Sequence, residues 1–141
     1  MVYTRMVADL FHRGHVAYLA AARALGDRLV VYVLDDEHVR AVKRAPILAQ
    51  ADRITVVAAC RHVDAVVDSG PRVLTPAYMR EQGYDLYALG YADQREAQAK
   101  LRTCSELPPH MRVVIPYAEG ISSTQIRARI LQAGEPGNPS A

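Results

Sequence analysis

The segment DLFHRGH, residues 9 to 15, places two imidazole side chains three positions apart, directly after a short apolar run. Imidazoles can donate hydrogen bonds to a phosphoryl group as it becomes five-coordinate, and Gly14 lets a ligand approach the backbone. A helix that begins here would add free N–H groups and a partial positive charge, which favour an anion. The segment therefore points to phosphate chemistry at His12 and His15, with a merely exposed histidine pair as the alternative.

Two further segments could act on the same anion. EGISSTQIR, residues 119–127, sets a glycine and three consecutive hydroxyls before a predicted helix. Ser122 to Thr124 would either cap that helix or form a second phosphate-binding turn that faces the first. Lys43 and Arg44, in AVKRAPI, are either a solvated charge pair or two cations on a loop that closes over an anionic substrate.

Other site chemistries find less support in the residues. A zinc site would need further ligands at set spacing, and His38, His62 and His110 are scattered along the chain. There is no G-x-S-x-G segment or Cys/His arrangement for a covalent nucleophile, and no Walker-type G-x-x-x-x-G-K-[ST].

These segments lie between predicted strands and helices. Apolar, valine-rich runs predict strands at 2–8, 28–34, 64–70, 84–90 and 111–117. Helical spacing and caps predict helices at 14–26, about 50–62, 75–83 and 122–132, with a polar helix or loop at 94–104. Thr75 would cap the third of these helices, with Pro76 in its first turn. The polar, basic stretch 35–46 is predicted to carry Lys43 and Arg44 on a loop.

Strands that alternate with helices predict an α/β protein with a doubly wound, five-stranded parallel sheet in a single domain. We expect this domain to span residues 1–133 and the Gly/Pro-rich tail 134–141 to be disordered. Such a sheet binds ligands beyond the carboxyl ends of its strands. The first turn from strand to helix, DLFHRGH, lies at that edge.

Composition narrows the class of protein. The 141 residues are 50% hydrophobic and carry a net charge of +2, which is typical of a folded globule and not of a nucleic-acid binder. No apolar run approaches the roughly 18 residues that span a bilayer, so we expect no membrane insertion and a cytoplasmic location. Cys60 and Cys104 are expected to be reduced, with Cys60 in the core. Tyrosines 3, 18, 32 and 87 are expected in the core or at a dimer interface.

Taken together, the motifs resemble the cytidylyltransferase family of H-x-G-H nucleotidyltransferases, in particular its glycerol-3-phosphate, choline-phosphate and ethanolamine-phosphate members. DLFHRGH is similar to that family's D-L-x-H-x-G-H, and LGDRLVVYVLDDE to its G-D-x-L-[IV]-V-x-[VL]-x-x-D-E. KRAPILAQADR, CRHVDAVV and GISSTQI also resemble family segments. The resemblance extends from about residue 2 to residue 131.

The resemblance implies a Rossmann-like homodimer that joins CTP to a phosphorylated small alcohol and releases pyrophosphate, with Mg²⁺ bound through the nucleotide phosphates and not in a protein metal site. It implies that His12 and His15 stabilise the transition state at the α-phosphorus, and that Lys43 engages the α-phosphate and the acceptor. Further nucleotide contacts are implied at Val7, Ala8, Asp9, Gly14, Arg44, Tyr117, Glu119, Gly120, Ile121, Ser122, Ser123 and Thr124, and an acceptor contact at Asp36.

The chain also departs from the family pattern. Met6 and Ala8 replace a glycine and a phenylalanine, Gly90-Tyr91-Ala92 replaces G-D-D, and Tyr117-Ala118 replaces R-T. Arg44 or Arg127 is expected to supply the missing arginine contact. Similar V-A-D-L-F-H-x-G-H variants make a phosphonate such as 2-hydroxyethylphosphonate a candidate acceptor. The alternatives are an adenylyltransferase that uses ATP and a catalytically degenerate nucleotide-binding partner.

Overall fold

The computed structural model describes residues 1–134 and contains a parallel sheet with helices on both of its faces. The strands are β1 (Val2–Met6), β2 (Leu29–Val33), β3 (Ala65–Val67), β4 (Leu86–Leu89) and β5 (Arg112–Val114). The helices are α1 (Arg13–Arg23), α2 (Asp36–Val42), α3 (Gln50–Ala58), α4 (Pro76–Gln82), α5 (Gln94–Thr103) and α6 (Ser123–Ala133), with a 3₁₀ turn at Pro109–Met111.

All neighbouring strands pair in parallel, in the order β3-β2-β1-β4-β5. The chain builds outward from β1 to β2 and β3, and then crosses to the other side of β1 for β4 and β5. The strand order therefore reverses between β1 and β4, where a doubly wound sheet opens a crevice at its carboxyl ends. The predicted α/β fold with five parallel strands is confirmed.

The core lies on both faces of the sheet because successive strand residues point to opposite sides. Leu29, Val31 and Val33 belong to one buried cluster, whereas Val30 and Tyr32 belong to the other. The four tyrosines expected in the core or at an interface, Tyr3, Tyr18, Tyr32 and Tyr87, are all buried within this single chain. Cys104 is fully buried among the second cluster, and the half-buried Cys60 packs against the first.

Several element boundaries differ from the sequence prediction. The stretch 35–46 is not continuous loop, because Asp35 caps the short helix α2 with its carboxylate. The helix predicted for about 50–62 ends at Ala58, and α1 ends at Arg23, before the predicted glycine stop. Helix α4 is capped by Thr75 with Pro76 in its first turn, as predicted. The segment 94–104 is a helix, capped by Asp93. Helix α6 ends at Ala133 with Gly134 as its C-terminal cap residue, and the rest of the predicted tail lies outside the described residues.

Candidate functional site

The turn between β1 and α1 fixes both imidazole rings through backbone hydrogen bonds. His12 is the N-cap of α1, and its Nδ1 accepts the Gly14 N–H at 3.0 Å. His15 Nδ1 accepts the His12 N–H at 3.1 Å, so the two rings form a reciprocal capping box. An accepting nitrogen carries no hydrogen, and the proton of each neutral ring must therefore lie on Nε2. Each ring keeps one N–H donor that is directed away from the backbone it caps.

Both rings are neutral near pH 7. Burial, together with the neighbouring His12 and Lys43, lowers the pKa of His15 to about 4 against the opposing charge of Asp9. Burial and the adjacent Arg13 guanidinium also lower the pKa of His12. The turn thus presents hydrogen-bond donors without a net charge on the rings.

The same turn holds a strained backbone. Ala8 and Leu10 have φ angles of 58° and 51°, in the left-handed region that residues with a Cβ rarely adopt. Between them, the buried Asp9 carboxylate accepts the N–H groups of Ile47 at 2.8 Å and Leu48 at 3.1 Å. Asp9 therefore ties the first turn to the segment that follows Lys43 and Arg44.

The N-terminus of α6 lies against the N-terminus of α1. Ser122 caps α6 by accepting the Gln125 N–H at 3.1 Å, and the Ser123 hydroxyl donates to the Asp9 carbonyl at 2.9 Å. A Cβ on Gly14 would lie 3.5 Å from Cγ2 of Ile121. The capping role expected for this hydroxyl run is therefore present. The loop residues Glu119 and Gly120 and the first turn of α6, with Thr124, are brought to the same side of the sheet as the histidines.

Lys43 approaches this region from α2, where it is the C-terminal cap residue. Its Nζ lies 3.8 Å from Oε1 of Glu96, on α5, and its side chain is half exposed. Arg44 is exposed, and within residues 1–134 it makes no hydrogen bond or ion pair. The structure therefore brings Lys43 toward the end of β4 and leaves Arg44 at the surface.

A polar cluster that the sequence did not predict lies at the carboxyl end of β4. Lys100 Nζ donates to the Gly90 carbonyl at 2.5 Å, to the Tyr117 hydroxyl at 2.6 Å and to Glu96 Oε1 at 2.8 Å. The Tyr117 hydroxyl donates in turn to the Gly90 carbonyl at 2.7 Å. A Cβ at position 90 would lie 2.4 Å from Tyr117 Cε1, so this contact requires glycine.

The charges within this cluster perturb one another. Burial lowers the pKa of Lys100, against the opposing effect of Glu96. Burial also acts to raise the pKa of Glu96, but the hydrogen bond and charge of Lys100, the charge of Lys43 and the Ala92 N–H together leave that pKa below its ordinary value. Burial and the Glu96 charge raise the pKa of Tyr117, which stays protonated and can donate. The sequence feature that points to this cluster is Tyr117-Ala118, which replaces the R-T of the family pattern.

Asp36 and Val7 lie around a fully buried arginine. Arg53 donates from Nη2 to Asp36 Oδ1 at 2.6 Å, from Nη1 to the Val7 carbonyl at 2.7 Å and from Nε to the Leu48 carbonyl at 3.0 Å. The carboxylate of Asp36 therefore holds a neighbouring side chain, and the Val7 carbonyl is already used. Arg53 belongs to the segment KRAPILAQADR, and nothing in that segment predicts this buried position.

Arg127, one of the two residues expected to replace the missing arginine, lies beside the buried Asp9. Its Nη2 is paired with the buried Asp9 carboxylate, and its buried Nε has no hydrogen-bond partner within residues 1–134.

This chain is a doubly wound α/β protein with its candidate site at the switch point of the sheet. A family model described as cytidylyltransferase-like matches residues 7–129. The chain belongs to this cytidylyltransferase-like family, which confirms the resemblance seen in the motifs.

Individual relatives carry different names. The chain is 34% identical over 140 residues to an ethanolamine-phosphate cytidylyltransferase of Arabidopsis thaliana, covering 92% of this chain and 32% of that protein. It is 37% identical over 122 residues to an FAD synthase of Thermococcus onnurineus, covering 86% of this chain and 73% of that protein. The chain spans about a third of the length of the ethanolamine-phosphate cytidylyltransferases of Arabidopsis and Dictyostelium discoideum.

A solved structure shares the fold. The lipopolysaccharide core biosynthesis protein from Thermoplasma volcanium superposes with a TM-score of 0.61 at 27% identity, covering 85% of this chain and 97% of that one. Among the helices within residues 1–134, none is both long and apolar enough to cross a membrane.

Proposed function

We propose that this protein transfers CMP from CTP to a phosphate or phosphonate oxygen of a small alcohol derivative and releases pyrophosphate. The observation that carries the proposal is the meeting of two helix N-termini, α1 and α6, at a turn whose two neutral imidazoles each keep an Nε2–H donor. Backbone N–H groups and fixed ring donors at one point form an environment suited to several phosphate oxygens.

The reaction we propose is a single in-line displacement. An acceptor oxygen attacks the α-phosphorus of CTP, the bond from that phosphorus to the bridging oxygen breaks, and pyrophosphate leaves with the electron pair. The acceptor oxygen belongs to a phosphate or phosphonate that is ionised at neutral pH, so no general base is required. The geometry supports this, because His12 and His15 present N–H groups and no free lone pair at Nε2.

Each group then has a proposed task. His12 and His15 donate to the oxygens of the α-phosphoryl group as charge builds up in the transition state. Lys43 moves from Glu96 to the α-phosphate and the acceptor. Gly120 to Thr124, with the free N–H groups at the start of α6, hold the β- and γ-phosphates.

Mg²⁺ is part of the proposal and would neutralise charge on the triphosphate when bound. Within residues 1–134 no group of three or more His, Cys, Asp or Glu residues could hold a metal ion. Mg²⁺ keeps much of its water and commonly binds through substrate phosphates. We therefore propose that the ion enters with CTP, held chiefly by phosphate oxygens.

The acceptor class rests on the relatives and on the motif variant. The ethanolamine-phosphate cytidylyltransferase relatives support a phosphorylated amino alcohol or a similar small alcohol. The V-A-D-L-F-H-x-G-H variant supports a phosphonate such as 2-hydroxyethylphosphonate. The FAD synthase relatives favour a second candidate function, transfer of AMP from ATP, on the same site.

The experiment that tests the proposal measures pyrophosphate release with Mg²⁺ and each of the four nucleoside triphosphates, against a panel of phospho- and phosphono-alcohols. We expect release with CTP and one acceptor, and a loss of about 100-fold or more in His12→Ala. His110→Ala is the matched control, because His110 is exposed near the amino end of β5. Release with ATP alone would replace the cytidylyl assignment, and CTP binding without turnover would indicate the degenerate binding partner.

The assembly and location follow from the same proposal. We propose a homodimer that works in the cytoplasm, where CTP is available, and that binds neither nucleic acid nor a membrane. Sedimentation of the purified protein tests the dimer, and a monomeric mass at working concentrations would remove that part of the proposal.

A further inference from the structure

Arg13 is the first residue of α1 and stands between the two histidines in sequence, yet its side chain reaches across to the loop before α6. Its Nη2 donates to the Glu119 carbonyl at 3.2 Å. A Cβ on Gly120 would lie 3.3 Å from the same nitrogen. The guanidinium therefore lies at the junction of the two helix N-termini, beside the loop proposed to hold the β- and γ-phosphates.

Most of the donors of this guanidinium are free. An arginine side chain carries five N–H groups in a planar fork, and within the described part of the chain only one of them has a partner, a neutral carbonyl. Arg53 and Arg127 differ, since Arg53 makes three hydrogen bonds in the interior and Arg127 is paired with Asp9. Arg13 is exposed, and no carboxylate within residues 1–134 forms an ion pair with it.

The proposed reaction needs such a charge. The leaving pyrophosphate carries several negative charges, and the two imidazoles supply donors without charge. The Nζ of Lys43 lies 3.8 Å from Oε1 of Glu96, a carboxylate that already opposes its charge. In the loop before α6, Tyr117 is directed into the Lys100 cluster at the end of β4, so this loop offers no cation of its own.

We propose that Arg13 binds the β- and γ-phosphates of the nucleotide and stabilises the pyrophosphate as it leaves. The inference rests on the proposed function and adds to it a binding residue contributed by α1. A guanidinium pairs with phosphate oxygens through two parallel hydrogen bonds, which makes it a stronger phosphate ligand than a single point charge. Arg13 supplies from α1 the charge that Tyr117 does not supply from the α6 side.

The test is calorimetric binding of CTP, CMP and inorganic pyrophosphate to Arg13→Gln, to Arg13→Lys and to the unaltered chain. We expect Arg13→Gln to weaken CTP and pyrophosphate by about tenfold or more and to leave CMP within twofold. Arg13→Lys should recover part of the loss. Arg129→Gln, on the exposed side of α6, changes the net charge equally and should bind all three ligands as the unaltered chain does.

Binding also separates this inference from the proposed function. If the unaltered chain binds ATP and not CTP, but Arg13→Gln loses affinity for pyrophosphate, the cytidylyl assignment fails and the Arg13 assignment stands. If CTP and pyrophosphate bind equally well to Arg13→Gln, or if CMP weakens as much as CTP, the Arg13 assignment is wrong whatever the reaction. A thermal melt of each variant confirms that the exposed substitution leaves the fold intact.

Discussion

The carboxylate of Asp9 and the guanidinium of Arg127 form an ion pair that joins the first turn of the fold to its last helix. The two residues are 118 positions apart in sequence, and Asp9 is only 3% exposed. The same carboxylate accepts two backbone N–H groups near Lys43, and the Asp9 carbonyl accepts the Ser123 hydroxyl. One aspartate therefore fixes the relative positions of three segments that each contribute to the candidate site.

Asp9→Asn should destabilise the protein, because it leaves a largely buried guanidinium without its countercharge. Breaking a buried pair in this way typically costs about 3–5 kcal/mol, and the exposure of Arg127 on one side puts our expectation at about 2–3 kcal/mol. Urea denaturation measures the change. Asp52→Asn, an exposed carboxylate in the first turn of α3, should change stability by less than about 1 kcal/mol. Equal losses in the two variants would contradict this account of Asp9.

The His15 ring predicts how stability depends on pH. Folding lowers its pKa from 6.5 to about 4, so the unfolded chain binds the proton more readily than the folded chain. The free energy of unfolding is therefore unaffected by titration of this ring above about pH 6.5. As the pH falls from 6.5 toward 4, the unfolded chain is protonated first, and the free energy of unfolding decreases by up to about 1.4 kcal/mol per pH unit.

His15→Gln isolates this contribution, because glutamine at the third helical position can keep the reciprocal capping hydrogen bond without titrating. Urea denaturation between pH 4 and 7 should give a shallower pH dependence for this variant than for the unaltered chain. His110→Gln should follow the unaltered chain. If the two slopes were the same for His15→Gln and the unaltered chain, burial of the His15 ring would not be what couples stability to pH.

Gly14→Ala should impair the site while leaving the fold intact. The added Cβ would lie 2.7 Å from His12 Cε1 and 2.9 Å from its Nδ1, so the ring must turn away from the Gly14 N–H. Alanine favours a helix by about 1 kcal/mol over glycine, which roughly offsets the lost cap. We therefore expect weaker CTP binding and slower turnover at a nearly unchanged melting temperature.

Gly134→Ala is the matched control for this substitution, since its Cβ would lie 3.7 Å from the nearest atoms that it meets among residues 1–134. A Gly14→Ala protein with full activity would show that the orientation of the His12 ring does not matter for function. A Gly14→Ala protein that fails to fold would contradict the expected balance between helix propensity and capping.

The 3.8 Å contact between Lys43 and Glu96 predicts competition between a carboxylate and the substrate. Glu96→Gln should release Lys43 and tighten CTP binding about two- to fivefold, as expected for a partly exposed ion pair worth up to about 1 kcal/mol. The effect should vanish in a Lys43→Met background. If the gain persisted there, it would come from the general charge of the site and not from this pair.

How much the sequence could predict depends on the range of the interactions involved. The order of strands and helices follows from local patterns, as in the valine-rich β2 and the Thr75-capped α4. Helix α2 was missed because it is short and polar, although Asp35 before Asp36 and Glu37 is an N-terminal signal. The histidine turn was found because its motif is contiguous.

The remaining site contacts join residues that are distant in the chain. Glu96 and Lys100 are four positions apart on α5 and look like a solvent-exposed pair until β4 and β5 place Tyr117 over Gly90. Arg127 looked available for a ligand because nothing near it in sequence shows that Asp9 holds it. The assignments of Lys43, Arg44 and the hydroxyl run as ligand contacts stay predictions.

Helix α6 has a consequence for the dynamics of the protein, because none of its residues is fully buried. A helix with so little buried surface is held by a few polar contacts, such as those from Asp9 to Ser123 and Arg127, and opens at lower free energy than the sheet. Its backbone amides should exchange with solvent sooner than those of β1 or β2. A ligand bound at its first turn would slow that exchange, so the exchange rate of the α6 amides would report whether the site is occupied.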